Sequence, residues 1–175
     1  ETKRLHQRLG ATIVYVTHDQ TEAMTLADRI CVLQAGHRMQ YDTPDAVYNR
    51  PAALFVAGFT GAPPMNLLPG RLDGDGRITL GDGQLLAMPS SLARRGAAAT
   101  GEILLGVRPE HLHPASGGAA ILQGRAVVVE PLGSDTMVSL DIAGTPLIAR
   151  LPPRLVRRAG EPVALVAAVH FEIGN

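Results

Sequence analysis

Aromatic residues make up only 3% of this 175-residue sequence, and tryptophan is absent. Single-stranded nucleic acid is usually held by a basic groove with stacking aromatics, but the 16 Lys and Arg here are balanced by 16 Asp and Glu. No apolar run approaches the roughly 18 residues of a membrane-spanning helix, and residues 1–8 lack the apolar core of a signal peptide. We therefore expect neither a nucleic-acid partner nor a membrane span.

Cysteine is almost absent as well. Cys31 is the only one, which excludes an internal disulfide, and its place in an apolar run predicts a small buried side chain in a reducing cytosol. The six histidines are scattered, and only His111 and His113 are close, on a strand-like segment that would put both rings on one face. No third ligand lies near them in the sequence, so we expect no metal site.

The first third of the chain has the alternating strand and helix pattern of an α/β domain. Helical spacing, β-branched runs, caps and turn dipeptides define its segments. The predicted elements, in order, are a helix over 1–9 closed by Gly10, a buried strand over 12–17, a helix over 20–27, a hairpin of 30–34 and 37–41, a helix from Pro44 to Tyr48, and a helix around Leu54–Val56.

The sequence pattern changes after Gly61-Ala62-Pro63-Pro64. From there on, short apolar runs alternate with Asp-Gly and other glycine turns. Many short strands of this kind favour a β-barrel or sandwich. We therefore predict an α/β domain over 1–62 and an all-β domain over 63–175, with a flexible loop at 115–120. The predicted strands are 78–80, 84–86, 103–107, 124–129, 137–142, 146–151 and 163–169.

His18 and Asp19 follow the predicted strand 12–17 directly. Open α/β sheets hold ligands beyond the carboxyl ends of their strands. An imidazole at that place can donate a hydrogen bond to a phosphoryl group on which charge develops. This position alone leaves open a histidine that only packs or caps at a strand end.

Several segments resemble one family. Tyr15-Val16-Thr17-His18-Asp19-Gln20 with Glu22-Ala23-Met24 and Ala27-Asp28-Arg29 resembles the switch-histidine region of ABC-transporter ATP-binding subunits. A second set of residues resembles the ATP-binding subunits of carbohydrate and glycerol-3-phosphate importers in particular. These residues are Gly36, Thr43-Pro44, Tyr48, Pro51, Phe55-Val56-Ala57-Gly58-Phe59 and Met65-Asn66. Three further segments resemble the TOBE-type regulatory domain of those subunits: Gly106-Val107-Arg108-Pro109-Glu110-His111, Glu130-Pro131-Leu132-Gly133-Ser134 and Ala149-Arg150-Leu151.

The resemblance implies a fold and an activity. Residues 1–62 would be the C-terminal part of a P-loop NTPase domain of ABC type, and residues 63–175 an OB-fold-like β-barrel regulatory domain. The intact protein would be a transport ATPase that uses ATP and Mg²⁺ to drive uptake of sugars or glycerol 3-phosphate. His18 would be its catalytic and cofactor-binding residue in this chain, in contact with the γ-phosphate of ATP.

The resemblance also implies partners. These are a second copy of the subunit, transmembrane permease subunits and, indirectly, a periplasmic or extracellular solute-binding protein. The expected location is the cytoplasmic face of the bacterial inner membrane, where the protein would be peripheral.

The phosphate-binding parts of such a protein are missing from this sequence. Lys3 is the only lysine, no Gly-x-x-x-x-Gly-Lys-Ser/Thr loop occurs, and no apolar run ends in an Asp-Glu pair. We therefore expect a piece of a longer protein that neither binds ATP and Mg²⁺ nor hydrolyses ATP alone. Two alternatives are a stand-alone OB-like module for a small oxyanion or sugar, and a self-sufficient hydrolase built on His18 and Asp19.

Three other groups of polar residues are expected to be structural. Pro109 enforces an extended or turn conformation, so the charged residues around it are expected to form ion pairs or a domain contact. A Gly-Ser-Asp turn has no histidine partner that the sequence can place nearby, and an arginine run is expected to be a solvated face. The residues concerned are Arg108, Glu110 and His111; Gly133, Ser134 and Asp135; and Arg154, Arg157 and Arg158.

Overall fold

The structure, a computed structural model, describes residues 2–87, 100–115, 122–167 and 171–173. It divides into unit 1, Glu1–Ala62, and unit 2, Pro63–Asn175. Among the described residues no helix is long and apolar enough to cross a membrane. The predicted loop at 115–120 falls outside the described residues except for Ala115, as does the end of the predicted strand 163–169.

Unit 1 consists of short helices and one hairpin. Its elements are α1 (Thr2–Leu9), α2 (Gln20–Leu26), β1 (Ile30–Gln34), β2 (His37–Asp42), α3 (Pro44–Asn49) and α4 (Leu54–Phe59). The predicted helices and hairpin of this unit are confirmed, with small shifts at their ends.

Local signals account for these elements. The hairpin turn has φ +48° at Ala35 and +81° at Gly36, the two left-handed residues of the turn that best matches strand twist. Thr43 caps α3 by accepting a hydrogen bond from the Ala46 backbone N–H at 3.3 Å, with Pro44 in the first turn. These signals act over three or four residues, which is why the sequence predicts them well.

The run 12–17 is not a strand, and the prediction of a buried strand there is wrong. Val14 is 88% exposed and Val16 is 90% exposed. A strand exists only through hydrogen bonds to a neighbouring strand, and the described part of unit 1 contains no sheet other than the β1–β2 hairpin. The β-branched composition indicates a segment suited to pairing, but the described residues supply no partner.

Unit 1 has a small core around the hairpin. Val32, Val47 and Val56 are buried, and partly buried apolar side chains pack on them. Because side chains alternate along β1, Cys31 lies on the face opposite Val32 and is exposed. The predicted burial of Cys31 is therefore wrong: an apolar run does not reveal that only one face of the strand is covered.

The described residues of unit 2 form β-strands and one short 3₁₀ turn, which confirms the β fold predicted for this part of the chain. Its elements are β3 (Asn66–Leu72), β4 (Arg77–Leu80), β5 (Leu85–Ala87), β6 (Gly101–Val107), a 3₁₀ turn (Pro109–His111), β7 (Leu112–Pro114), β8 (Leu122–Pro131), β9 (Thr136–Ile142), β10 (Thr145–Leu151), β11 (Pro162–Ala167) and β12 (Phe171–Ile173). They form two antiparallel five-stranded sheets, in the orders β12-β6-β3-β4-β5 and β10-β9-β8-β11-β7. Side chains from both sheets form one buried core.

Two side-chain amides join the sheets of unit 2. Asn66 on β3 donates to the Ile148 carbonyl and accepts from the Ile148 N–H on β10, both at 2.8 Å. Gln84 makes the same pair of bonds to the backbone of Gln123 on β8, at 2.9 and 2.8 Å. A side-chain amide has a donor and an acceptor side by side, as the backbone of a strand residue does. Each of the two amides therefore bonds to a strand residue in the way that a neighbouring strand would.

Candidate functional site

His18 lies in the loop between α1 and α2, one residue before the cap of α2, and its side chain is exposed. Asp19 is that cap: its carboxylate accepts from the backbone N–H of Glu22 at 3.0 Å. None of the hydrogen bonds found among the described residues engages the His18 ring. Either ring nitrogen of the His18 imidazole can therefore form a hydrogen bond to a ligand.

The residues around His18 form a hydrogen-bonded network on Glu22. The Glu22 carboxylate accepts from the Tyr15 hydroxyl at 3.1 Å and from the Thr17 hydroxyl at 2.9 Å. The Thr17 hydroxyl in turn accepts from the Asp19 backbone N–H at 2.9 Å. We call Tyr15, Thr17, Asp19 and Glu22 the His18 network.

The electrostatics of the network are dominated by Glu22. Its carboxylate raises the pKa of Tyr15 above the ordinary value, first through the hydrogen bond that it accepts from the phenol and then through its negative charge. A further, smaller contribution to the raised pKa comes from the charge of Asp19. The network therefore extends to higher pH the range in which Tyr15 is neutral and can donate a hydrogen bond.

The sequence contains a local signal for part of this network. Asp19 and Glu22 have the three-residue spacing of a capping box, in which the acidic side chain returns to the cap. In the structure the Glu22 carboxylate instead reaches further back, to hydroxyls on the other side of His18. The spacing therefore predicts that the Glu22 carboxylate accepts hydrogen bonds from nearby residues, but only the structure shows that the donors are the hydroxyls of Tyr15 and Thr17.

The described residues do not make a complete site for Mg²⁺ and the phosphates of ATP. No group of three or more His, Cys, Asp or Glu among them could hold a metal ion. The lysine loop that cradles phosphates is also missing from the sequence. At this place the described residues offer the exposed imidazole of His18 on a hydrogen-bonded loop.

His111 and His113 do not share a strand face as predicted. His111 ends the 3₁₀ turn, where its backbone N–H donates to the Arg108 carbonyl at 2.9 Å, and β7 begins only at Leu112. His113 is exposed on β7, whereas His111 is half-buried. The turn rotates the first ring out of the strand, because Pro109 starts a helical turn rather than an extended segment.

Arg108 is 1% exposed and directly precedes the 3₁₀ turn, which contacts β10. A guanidinium shielded from solvent in this way cannot meet a soluble substrate. Its burial supports the structural role expected for Arg108, Glu110 and His111.

The Gly-Ser-Asp turn and the arginine run lie beside one cavity. Leu132 N–H donates to the Asp135 carbonyl at 2.9 Å to close the β8–β9 turn, and Asp135 pairs with Arg150. The three arginines of the run are exposed, as expected for a solvated face. The cavity has a volume of about 320 Å³ and is lined by Pro131, Gly133, Asp135, Thr136, Pro153, Arg154, Val156 and Arg157.

Comparisons with known proteins place the chain. The model of the MalK OB fold domain matches residues 61–112, and that of the TOBE domain matches residues 105–170. The sulfoquinovosyl glycerol transport ATP-binding protein SmoE of Agrobacterium fabrum is 51% identical over 89% of this chain and 43% of its own length. This chain therefore contains a MalK OB fold domain and a TOBE domain, and its relatives are ATP-binding proteins of sugar and glycerol-3-phosphate importers.

Other relatives agree. The sn-glycerol-3-phosphate import ATP-binding proteins UgpC of Cupriavidus metallidurans and Chromobacterium violaceum are 43% and 49% identical over 98% and 86% of this chain. The matches cover 49% and 40% of those two proteins, so the chain spans less than half the length of these curated relatives. Among solved structures, the molybdate-binding protein ModG resembles this chain at 20% identity and a TM-score of 0.45, over 62% of this chain and 93% of its own.

The resemblance stated from the sequence is thereby confirmed at the level of the family and of the OB and TOBE domains. The stand-alone small-ligand module is not favoured, because the relatives are ATP-binding proteins of importers.

Proposed function

We propose that this chain forms the switch-histidine and regulatory part of an importer ATPase that couples ATP hydrolysis to uptake of sugars or glycerol 3-phosphate. The observation that carries the proposal is the 51% identity to a transport ATP-binding protein over 89% of the chain. In this proposal residues 1–62 are the C-terminal part of the ABC nucleotide-binding domain and residues 63–175 are the regulatory domain. The division at Ala62 and the domain match from residue 61 support that boundary.

His18 is the catalytic residue of the proposal, and it contacts the γ-phosphate of ATP in the intact protein. Phosphoryl transfer depends mainly on positioning and on stabilising charge at the equatorial oxygens. An exposed imidazole held between the hydrogen-bonded residues Thr17 and Asp19 suits both tasks. The remaining phosphate contacts and Mg²⁺ need residues that this chain does not contain, so the chain alone does not hydrolyse ATP.

The partners follow from the same proposal. Two copies of the intact subunit sandwich ATP and bind transmembrane permease subunits at the cytoplasmic face of the bacterial inner membrane. A solute-binding protein acts indirectly, through the permease. Unit 2 tethers the two copies and receives regulatory signals, a role supported by its OB and TOBE matches.

The test replaces His18 by alanine in the complete subunit, reconstituted with its permease in liposomes. ATP turnover is expected to fall to a small residual rate and solute uptake to be lost, with ATP binding retained. His37→Ala is the matched control, because His37 is also an exposed histidine of unit 1 but lies on β2. Turnover in His18→Ala equal to that of the control would remove His18 from the mechanism.

A further inference from the structure

Glu22 is bonded to both residues that flank His18. Its carboxylate accepts a hydrogen bond from the Thr17 hydroxyl at 2.9 Å, and its backbone N–H donates to the Asp19 carboxylate at 3.0 Å. The Thr17 hydroxyl also accepts from the Asp19 backbone N–H at 2.9 Å. These three bonds close a ring of contacts from which the His18 side chain projects into solvent.

Capping of α2 does not require this arrangement. In a capping box, an acidic residue at the position of Glu22 would bond to the backbone N–H of Asp19. Here that N–H is taken by Thr17, and the carboxylate turns to two hydroxyls that precede His18 in the chain. Glu22 therefore acts on the segment before the histidine, and it does so in an otherwise exposed, irregular stretch.

We propose that Glu22 is the positioning residue of His18. By holding the loop in place before nucleotide binds, Glu22 directs the His18 imidazole toward the γ-phosphate. This inference rests on the proposed role of His18. A loop that is already ordered avoids the entropic cost of ordering at the moment of reaction, and a displacement of about 1 Å at a reacting group costs roughly 100-fold in rate. Glu22 acts through the loop and makes no contact with the phosphates itself.

The test measures ATP turnover by the complete subunit in its reconstituted transporter. Glu22→Ala and Thr17→Val each remove one side of the contact, and kcat is expected to fall roughly tenfold in both, with KM for ATP changed less than about twofold. Thr17→Ser keeps the hydroxyl and is expected to retain at least about half of the rate. Thr21→Val is the control, because it makes the same change at an exposed threonine of α2 next to Glu22.

A second measurement separates positioning from a merely structural role. In a His18→Ala background, Glu22→Ala is expected to lower the residual rate no further, because its effect passes through the missing ring. A further fall there would assign Glu22 to the stability of α2 instead and overturn the inference.

The two hypotheses fail in different ways. If His18→Ala lowers turnover to a small residual rate while Glu22→Ala and Thr17→Val keep the wild-type kcat, the inference is wrong and the proposed function stands. If His18→Ala keeps the wild-type rate, the proposed function is wrong and the inference falls with it. Should Glu22→Ala not assemble, the Thr17→Val and Thr17→Ser pair still decides the question.

Discussion

The two units of this chain differ in how much of their own apolar surface they cover. Among the described residues, unit 2 buries a continuous core drawn from both of its sheets. The buried apolar side chains of unit 1 are few and small: Val32, Ala46, Val47, Val56 and Ala57. Unit 1 also leaves the run 13–16 exposed. Because burial of apolar area is the dominant favourable term in folding, the described contacts of unit 2 stabilise it far more.

The proposed chemistry lies in the unit that buries less apolar surface. His18 belongs to the unit with little burial, and its loop is ordered by side-chain hydrogen bonds rather than by packing. Segments with few buried contacts open at low free energy, and moving parts of proteins are drawn from them. Unit 2 has the opposite character: the three inner strands of each sheet are paired on both sides, and two amides join the sheets.

A pair of glycine substitutions tests this contrast with the largest expected effect. A Cβ at Gly124 on β8 would lie 2.2 Å from the Asp141 carbonyl oxygen of β9, so Gly124→Ala must separate two paired strands. We expect a loss of about 3 kcal/mol or more in the stability of unit 2. A Cβ at Gly58 on α4 meets nothing within 4 Å, so Gly58→Ala is expected to stabilise unit 1 by up to about 1 kcal/mol.

The aromatic residues make the two units separately observable. All three tyrosines, Tyr15, Tyr41 and Tyr48, are in unit 1, so denaturant unfolding followed by tyrosine fluorescence reports on that unit. The far-ultraviolet circular dichroism of the sheets reports mainly on unit 2. A Gly124→Ala variant whose circular dichroism transition is unmoved would contradict the close approach of β8 and β9.

The same substitution, valine to alanine, can be made at a buried position of unit 2 and at an exposed position of unit 1. Val138 on β9 is fully buried and Val16 is 90% exposed. Val138→Ala is expected to destabilise unit 2 by about 2 kcal/mol, from lost transfer free energy and the cavity left behind. Val16→Ala is expected to change the stability of unit 1 by less than about 0.5 kcal/mol. Equal effects on the two transitions would show that Val16 is covered in solution.

The fold could be predicted from the sequence wherever local chemistry decides it. Helix caps, the Ala35-Gly36 turn and the short apolar runs between glycine turns in unit 2 act between near neighbours, and they predicted most elements. The strand β3 was missed because Pro69 and Gly70 are typical of a turn. Proline is tolerated there because the pairing of β3 with β4 starts only at Gly70, which leaves one side of Pro69 without a strand.

The site could be predicted only in part, because His18 and Glu22 depend on different information. The family pattern around Thr17-His18-Asp19 marks the histidine, but the prediction of a strand before it required a pairing partner that no local pattern reveals. The contacts of Glu22 join side chains five and seven residues apart in an irregular loop. No helical or strand period brings such side chains together, so only the structure shows them.

The smallest expected effect tests whether the His18 network holds in solution. The pKa of Tyr15 is raised above 10.0 chiefly because the Glu22 carboxylate accepts its hydrogen bond. The network therefore stabilises the protonated phenol: this contribution is complete below the ordinary pKa and is lost as pH rises through the raised value. Glu22→Gln is expected to bring the pKa of Tyr15 down toward its ordinary value, because the charge is removed while an acceptor remains.

The measurement is an ultraviolet titration of tyrosinate in a Tyr41→Phe, Tyr48→Phe background, where Tyr15 is the one tyrosine left. Asp45→Asn, which removes a carboxylate from α3 instead, is the matched control and is expected to leave the pKa of Tyr15 unchanged. A titration that Glu22→Gln does not move would mean that the phenol and the carboxylate are apart in solution. The segment before His18 would then lack the hydrogen bond from Tyr15 to Glu22 as well as buried contacts for its valines. The contrast between the two units would then include the His18 site.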